Sequence, residues 1–183
     1  MTDPPVTNRP ELVQLFAARG YQAGAEVGVA DGRFSLELCE AIPGLQLLCV
    51  DPWCSYHGNQ RGGRTDRHEK NWALAQERLI PFGVELMRML SLEGAALVED
   101  GALDFVHLDG NHNFDYVMQD LIAWTPKVRM GGVVSGHDYY RFRNSGVIEA
   151  VDAYTSFYGV ELHVTPEPRR RRQTGGPTWW WTR

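Results

Sequence analysis

Three short apolar runs constrain this chain more than any other feature: AGAEVGV from Ala23, LQLLCVD from Leu45 and LDFVHLD from Leu103. Continuous apolar runs of that length, bounded by turn residues, read as buried parallel strands. Helix-like segments separate them. Pro10 opens ELVQLFAARG with Gly20 behind it, which sets Leu12, Leu15 and Phe16 on one face. Residues 34–41, 68–79, 114–124 and 147–157 have helical spacing, 84–89 reads as a further strand, and a Gly131-Gly132 turn leads into VVSGHDYY. This alternation predicts one α/β domain over 1–183, Rossmann-like and doubly wound, with a mostly parallel seven-stranded sheet covered by helices on both faces. Residues 1–20 form a helical extension to it, and the polar stretch 55–67 is a lid candidate. A C-terminal antiparallel hairpin is expected between 160–164 and TWWW, across the EPRRRRQTGGP loop. Strand alternation puts Trp179 and Trp181 on one face, as core, and Trp180 on the other.

Charge and cysteine content narrow the function classes. The chain holds 18 basic and 23 acidic residues, net −5. Five arginines and no acid lie in 169–183, which leaves 13 basic against 23 acidic residues, or −10, in the first 168. An acidic body argues against a protein built to grip nucleic acid, whose phosphates need a broad positive face. The run at 169–172 reads either as a solvated loop or as an anchor for an anionic substrate or partner. Cys39, Cys49 and Cys54 form no C-x-x-C pair and read as reduced thiols. With no long apolar span and no signal-like N-terminus, a soluble cytoplasmic protein is expected, without membrane contact.

Ligands of such sheets sit outside the carboxyl ends of the strands, so Glu26 to Gly28, Asp51, Asp109, His137 and Asp138 are predicted to share one rim. AEVGVADGRFS places an acid at a strand end, glycines at 28 and 32, and then a helix. Ala30 breaks the G-x-G-x-x-G pattern, which disfavours a pyrophosphate cradle. Glu26 and Asp31 make the loop acidic, as a cationic ligand would want. Asp51, in VDPW, ends the next strand 23 residues after Gly28, where a carboxylate can accept both hydroxyls of a ribose. Trp53 is a candidate cover for an adenine. A nucleoside cofactor without a pyrophosphate is the expectation, and S-adenosylmethionine suits it better than NAD.

With the block LDFVHLDGNHNFDYVMQDLIAWTPKVRMGGVVSGHDYY and the final GV-x-x-AVD-x-Y to TWW segment, these motifs resemble the class I S-adenosylmethionine-dependent methyltransferases. More narrowly they resemble the family 24 branch, related to metal-assisted O-methyltransferases of the catechol and macrolide-sugar type. The likeness covers roughly 20–183. It implies that Glu26, Gly28 and Gly32 bind the methionine end and Asp51 the ribose, with Ser91 and Leu92 at the adenine. Ala30, Ser35, Pro52, Trp53, Asp109 and His112 complete the implied cofactor set. Met89 and Leu90 replace a common Gly-Asp, which makes the adenine contact more apolar. Asp109 matches the acid after the fourth strand, Asp138 matches a metal-binding position after the fifth, and His137 stands where many metal-dependent relatives carry an acid.

Methyl transfer from a sulfonium needs alignment and deprotonation of the acceptor hydroxyl. Asp109, His137 and Asp138 could hold Mg²⁺ or another divalent cation, or His112 or His137 could act as general base, with His112 the better placed. Asp109, His112 and His137 are therefore the catalytic candidates. His107 reads as a core histidine, while His57 and His68 border the loop without an assigned role. Tyr139, Tyr140, Arg141 and Arg143 read equally as the lining of a polar acceptor pocket or as an exposed loop. The leading expectation is O-methylation of a small-molecule or sugar hydroxyl; other chemistry on the same fold, or a noncatalytic cofactor-binding or interaction module, stays open. No Asn-Pro-Pro-aromatic or Asp-Pro-Pro-aromatic signature follows the fourth strand to clamp a flipped base. Exposed aromatic surface on the terminal strands would mark a homodimer.

Overall fold

A computed structural model describes residues 5–56, 65–142, 145–166 and 176–183. Asn8 caps the first helix, α1 (Arg9–Ala18), by accepting from the Glu11 amide at 2.9 Å, while Glu11 reaches back to the Thr7 amide at 2.6 Å. Then follow β1 (Ala23–Val27), α2 (Arg33–Ala41), β2 (Gln46–Val50), α3 (Thr65–Leu79), β3 (Glu85–Met87), α4 (Ser91–Ala96), β4 (Leu103–Leu108), α5 (Phe114–Trp124), β5 (Val128–Gly136), α6 (Val147–Tyr158), β6 (His163–Val164) and β7 (Trp179–Thr182). The sheet order is β3-β2-β1-β4-β5-β7-β6, parallel except where β7 pairs with β5 and β6. The predicted fold class and C-terminal hairpin are therefore present.

Two cores flank the sheet. Leu12, Leu15 and Phe16 of α1, Leu38 of α2 and Leu79 of α3 cover one face, while Leu121 and Trp124 of α5 and Val151 of α6 cover the other. α1 is thus part of the packed body. Trp179 and Trp181 are each 1% exposed and stack on the α5–α6 side, whereas Trp180 packs against the opposite core and His163. Phe157 and Tyr158 at the end of α6 are exposed.

Some expected boundaries move. Gly131 and Gly132 lie within β5: its register with β4 jumps from Leu103↔Val128 to Phe105↔Val133, a bulge rather than a turn between elements. Gly131 adopts φ +78°, and both glycines are held by backbone bonds to Arg183. Helix α3 begins at Thr65, so the end of the expected loop is helical. Only His163 and Val164 of the expected strand 160–164 pair. Residues 57–64 of the lid candidate, including His57, lie outside the described residues, as do Arg143 and the run 169–172.

The sheet also carries a polar row. Cys49, Glu26, His107, Ser135 and Trp180 are successive register partners on neighbouring strands. Glu26, Ser35 of α2 and Cys49 form a buried hydrogen-bonded group, and His107 meets the Ser135 hydroxyl at 3.0 Å. His107 is buried and held neutral by desolvation, its pKa well below the usual imidazole range. Its Nε2 has no hydrogen-bond partner among the described residues, so it is only half satisfied.

Candidate active site

Strand order reverses between β1 and β4, and the crevice outside their carboxyl ends is where a parallel sheet leaves room for a ligand. A cavity of about 1000 Å³ opens there. Its wall includes Gly28, Ala30, Asp51, Pro52, Trp53, Ser91, Leu92, Asp109, His112, His137 and Asp138, which gathers most of the predicted site residues around one space. Ala30 (φ +50°), Trp53 (φ +43°) and Asp138 (φ +59°) are the non-glycine residues with left-handed backbone among those described, and all three are in this wall. Such conformations cost of order 1 kcal/mol or more each and persist where surrounding contacts enforce them.

At the β1–β2 end those contacts run largely to the main chain. The Asp51 carboxylate accepts from the Ala30 amide at 3.0 Å and the Trp53 amide at 2.7 Å, while the Trp53 indole donates to the Ala30 carbonyl at 2.7 Å. Burial raises the Asp51 pKa, and these amide bonds oppose that rise. Gly28, at φ +92°, packs so closely beneath the next loop that a Cβ would stand 2.2 Å from the Asp109 carbonyl oxygen. Trp53 is 1% exposed and packs against Trp72, so its ring braces the loop and offers no free face for covering an adenine.

Glu26, Gly32 and Ser35 are not in the cavity wall. Gly32 is the N-cap of α2, and Ser35 donates to Glu26 behind the wall. Burial pushes the Glu26 carboxyl up to about 8, which keeps it neutral at pH 7. Asp31 is paired with Arg33 and Arg78, each at 3.0 Å. The expected acidic character of this loop is reduced: burial raises the pKa of one acid to about 8, the other is ion-paired, and Arg9 and Arg33 reach the cavity wall.

The β4–β5 end is built from side chains. His112 Nε2 lies 3.3 Å from Asp109 Oδ1 and 3.3 Å from Asp138 Oδ2; His137 Nδ1 lies 3.2 Å from Asp138 Oδ1 and 3.9 Å from Asp109 Oδ2. Two imidazoles thus bridge two carboxylates. Burial opposes charge on His137, but Asp138 and Asp109 outweigh it and raise its pKa; burial likewise opposes the Asp138 carboxylate, which His137 and His112 hold below the usual range. Donor atoms of Asp109, His137 and Asp138 all lie within 4.8 Å of one another, a spacing that a divalent cation can bridge.

The acceptor candidates fare differently. Tyr139 donates to Asp152 at 2.5 Å, Arg141 pairs with Glu149 at 2.6 Å, and neither they nor Tyr140 are in the wall. Phe142, Ser145 and His68 are. The sequence reading also missed Asp120, which lines the cavity from α5 and is pushed up to about 7 by burial, although Ser91 donates to it at 2.5 Å. Its signal was present: Val117, Asp120, Leu121 and Trp124 form one buried helical stripe, and an acid in such a stripe needs a reason.

The crevice thus carries a strand-end acid on one side and an acid–imidazole cluster on the other, at the reversal of strand order where parallel sheets hold their ligands. A family model described as a methyltransferase domain matches residues 25–139. The chain belongs to this methyltransferase-domain family. Among solved structures, it is similar to an O-methyltransferase from Bacillus cereus in complex with SAH (S-adenosylhomocysteine), at 14% identity and TM-score 0.69, covering 98% of this chain and 84% of that one. It is also similar to the O-methyltransferase TomG from Streptomyces achromogenes, involved in tomaymycin synthesis and solved with SAM (S-adenosylmethionine), at 15% identity and TM-score 0.66, covering 94% and 78%. An uncharacterized protein, y4gI, from Sinorhizobium fredii is 26% identical over 117 residues, or 62% of this chain; that match spans only 12% of the relative. Among the described residues no helix is long and apolar enough to cross a membrane.

Proposed function

We propose that the protein is an S-adenosylmethionine-dependent O-methyltransferase whose acceptor is a hydroxyl of a small molecule or sugar. The observation that carries this reading is the Asp109–His112–His137–Asp138 cluster in the wall of the same cavity as Asp51. Asp51 binds the ribose hydroxyls, and the loop from Gly28 to Gly32 approaches the methionyl arm, as in the resemblance. The O-methyltransferase neighbours solved with SAH or SAM support the same cofactor.

The acceptor oxygen attacks the methyl carbon in line as the carbon–sulfur bond breaks, and S-adenosylhomocysteine leaves. The hydroxyl proton passes to Nδ1 of His112, the ring nitrogen left as acceptor when Nε2–H faces the Asp109 and Asp138 carboxylates, each at 3.3 Å. Without a cation, His137 balances part of the negative charge of the two carboxylates, and binding one would require its neutral form. The donors of Asp109, His137 and Asp138 fit a divalent cation such as Mg²⁺, which when bound supplies Lewis acidity that lowers the pKa of a nearby hydroxyl.

Calorimetric titration with S-adenosylhomocysteine, with Mg²⁺ and then with chelator, tests the reading. Binding is expected, lost in Asp51→Ala and retained in Asp109→Ala, whose methyl transfer across a panel of hydroxyl acceptors falls about 10³-fold. Absence of binding by folded wild-type protein overturns the cofactor assignment, and full turnover in Asp109→Ala overturns the role of the cluster.

A further inference from the structure

The buried acid on α5 is not used by the chemistry above. Asp120 is 7% exposed in the apolar stripe that packs α5 onto the sheet. One carboxylate oxygen, Oδ1, accepts from Ser91 at 2.5 Å, and the same hydroxyl accepts from the Trp124 indole at 2.9 Å. The other oxygen, Oδ2, has no hydrogen-bond partner among the described residues. It faces Gly110, where a Cβ would stand 3.7 Å away, and Asp120 and Gly110 both line the cavity. An asparagine would serve the Ser91–Trp124 contact equally well. A desolvated carboxylate oxygen turned into a cavity instead calls for a donor that the fold does not provide.

The position of that oxygen says which donor. With a ribose on Asp51 at the end of β2 and the methionyl arm toward the Gly28 loop, the base is directed to the remaining end of the cavity. That end is formed by Leu90, Ser91 and Leu92 after β3, with Gly110, Asn111 and Asp120. Leu90 and Leu92 supply apolar contact for a purine face; of the two carboxylates at this end, Glu93 accepts from the Leu90 amide at 2.9 Å as part of the α4 cap, and Asp120 is the buried one. The ionised form of Asp120, dominant above its pKa of about 7, only accepts, and the 6-amino group of adenine only donates, so the contrast is read at pH 8.

We propose that Asp120 is the residue that reads the base, its Oδ2 accepting a hydrogen bond from the adenine 6-amino group so that adenosyl is selected over 6-oxopurine nucleosides. The inference rests on the cofactor reading above and adds the specificity-determining residue for it. A 6-oxo group turns an acceptor toward Asp120 and leaves the carboxylate unpaired, which lowers affinity on the order of 10- to 100-fold.

The test compares the affinities of S-adenosylhomocysteine and S-inosylhomocysteine for the full chain, wild type and Asp120→Asn, with circular dichroism confirming the fold of each. Wild type is expected to prefer the adenosyl ligand by that factor, and Asp120→Asn, whose amide can donate to a 6-oxo group, to lose the preference to within about threefold. Wild-type discrimination below threefold, or unchanged discrimination in the variant, overturns the proposal. If neither ligand binds wild type, the cofactor reading fails and this inference with it. Should the variant not fold, isotope-filtered NOE spectra of wild type with S-adenosylhomocysteine decide: contacts between purine protons and Asp120 Hβ support the assignment, and purine contacts confined to other residues refute it.

Discussion

The two ends of the crevice are held together in different ways. At the β1–β2 end, Asp51, Ala30 and Trp53 close a ring of hydrogen bonds at 2.7–3.0 Å in which each contact has a backbone amide or carbonyl as a partner. At the β4–β5 end, Asp109, His112, His137 and Asp138 meet through side-chain atoms at 3.2–3.9 Å. Main-chain partners keep their charge and position across the pH range, whereas imidazoles and carboxylates rearrange as protons or cations arrive. A surface that holds a cofactor benefits from the first arrangement, and a group that must accept a proton during turnover requires the second. The left-handed residues divide in the same way, with Ala30 and Trp53 at one end and Asp138 at the other.

The broadest expected effect, on stability and on both ends of the site, comes from joining the two ends badly. Gly28 is where they touch, and a Cβ there meets the Asp109 carbonyl at 2.2 Å on a residue already at φ +92°. Backbone cannot yield as a flexible side chain can, so Gly28→Ala is expected to lower unfolding stability by about 3 kcal/mol and to damage both ends together. Urea denaturation measures the first effect, and S-adenosylhomocysteine titration with and without divalent cation measures the second. Near-wild-type stability with one end selectively lost would break the comparison, because it would mean that the ends do not share this contact.

Much of this was legible before the structure. Apolar runs ending in acids placed Asp51 and Asp109 at neighbouring strand ends, because a parallel sheet fixes where its strands finish. What the sequence left unread was protonation and orientation. Glu26 reads as a charged loop acid until its register partners Cys49 and His107 and its bond from Ser35 bury it. Trp53 reads as a stacking ring until packing against Trp72 and a bond to Ala30 turn it inward. Tyr139 and Arg141 read as pocket residues until Asp152 and Glu149 on α6, distant enough to escape local reasoning, draw them away. Strand ends follow from periodicity, but the direction of a polar side chain follows from partners on other elements.

A second prediction sharpens the contrast beneath the rim. Glu26 has a folded pKa of about 8 against an ordinary value near 4.5, with desolvation as the leading cause. The native state therefore holds this proton more tightly than the unfolded chain does. The stability linked to it is full below about 4.5 and is lost as pH rises through about 8. Glu26→Gln keeps a hydrogen-bonding group beside Ser35 but cannot ionise. Its stability should therefore gain on wild type between pH 5 and pH 9, by up to about 4 kcal/mol. Chemical denaturation at several pH values measures the difference, which isolates Glu26 from Asp120 and the histidines because both proteins contain them. Parallel stability curves would show that Glu26 ionises in the folded protein without cost.

The smallest effect lies in the rim cluster and has the opposite charge on the titrating form. His137 has a raised pKa: burial disfavours its cation, but the hydrogen bond to Asp138 and the charges of Asp109 and Asp138 overcome that. A raised imidazole pKa contributes stability that is full below the unfolded value near 6.5 and is lost as pH rises through the folded value. In chelated protein, Asp138→Asn removes one of the two carboxylates and weakens the acceptor facing Nδ1. The His137 pKa should fall, and the stability linked to its protonation at pH 6 should fall with it. Heteronuclear NMR of the His137 imidazole nitrogens in wild type and variant measures the change. An unchanged His137 pKa would show that Asp138 does not hold its proton, although the two meet at 3.2 Å.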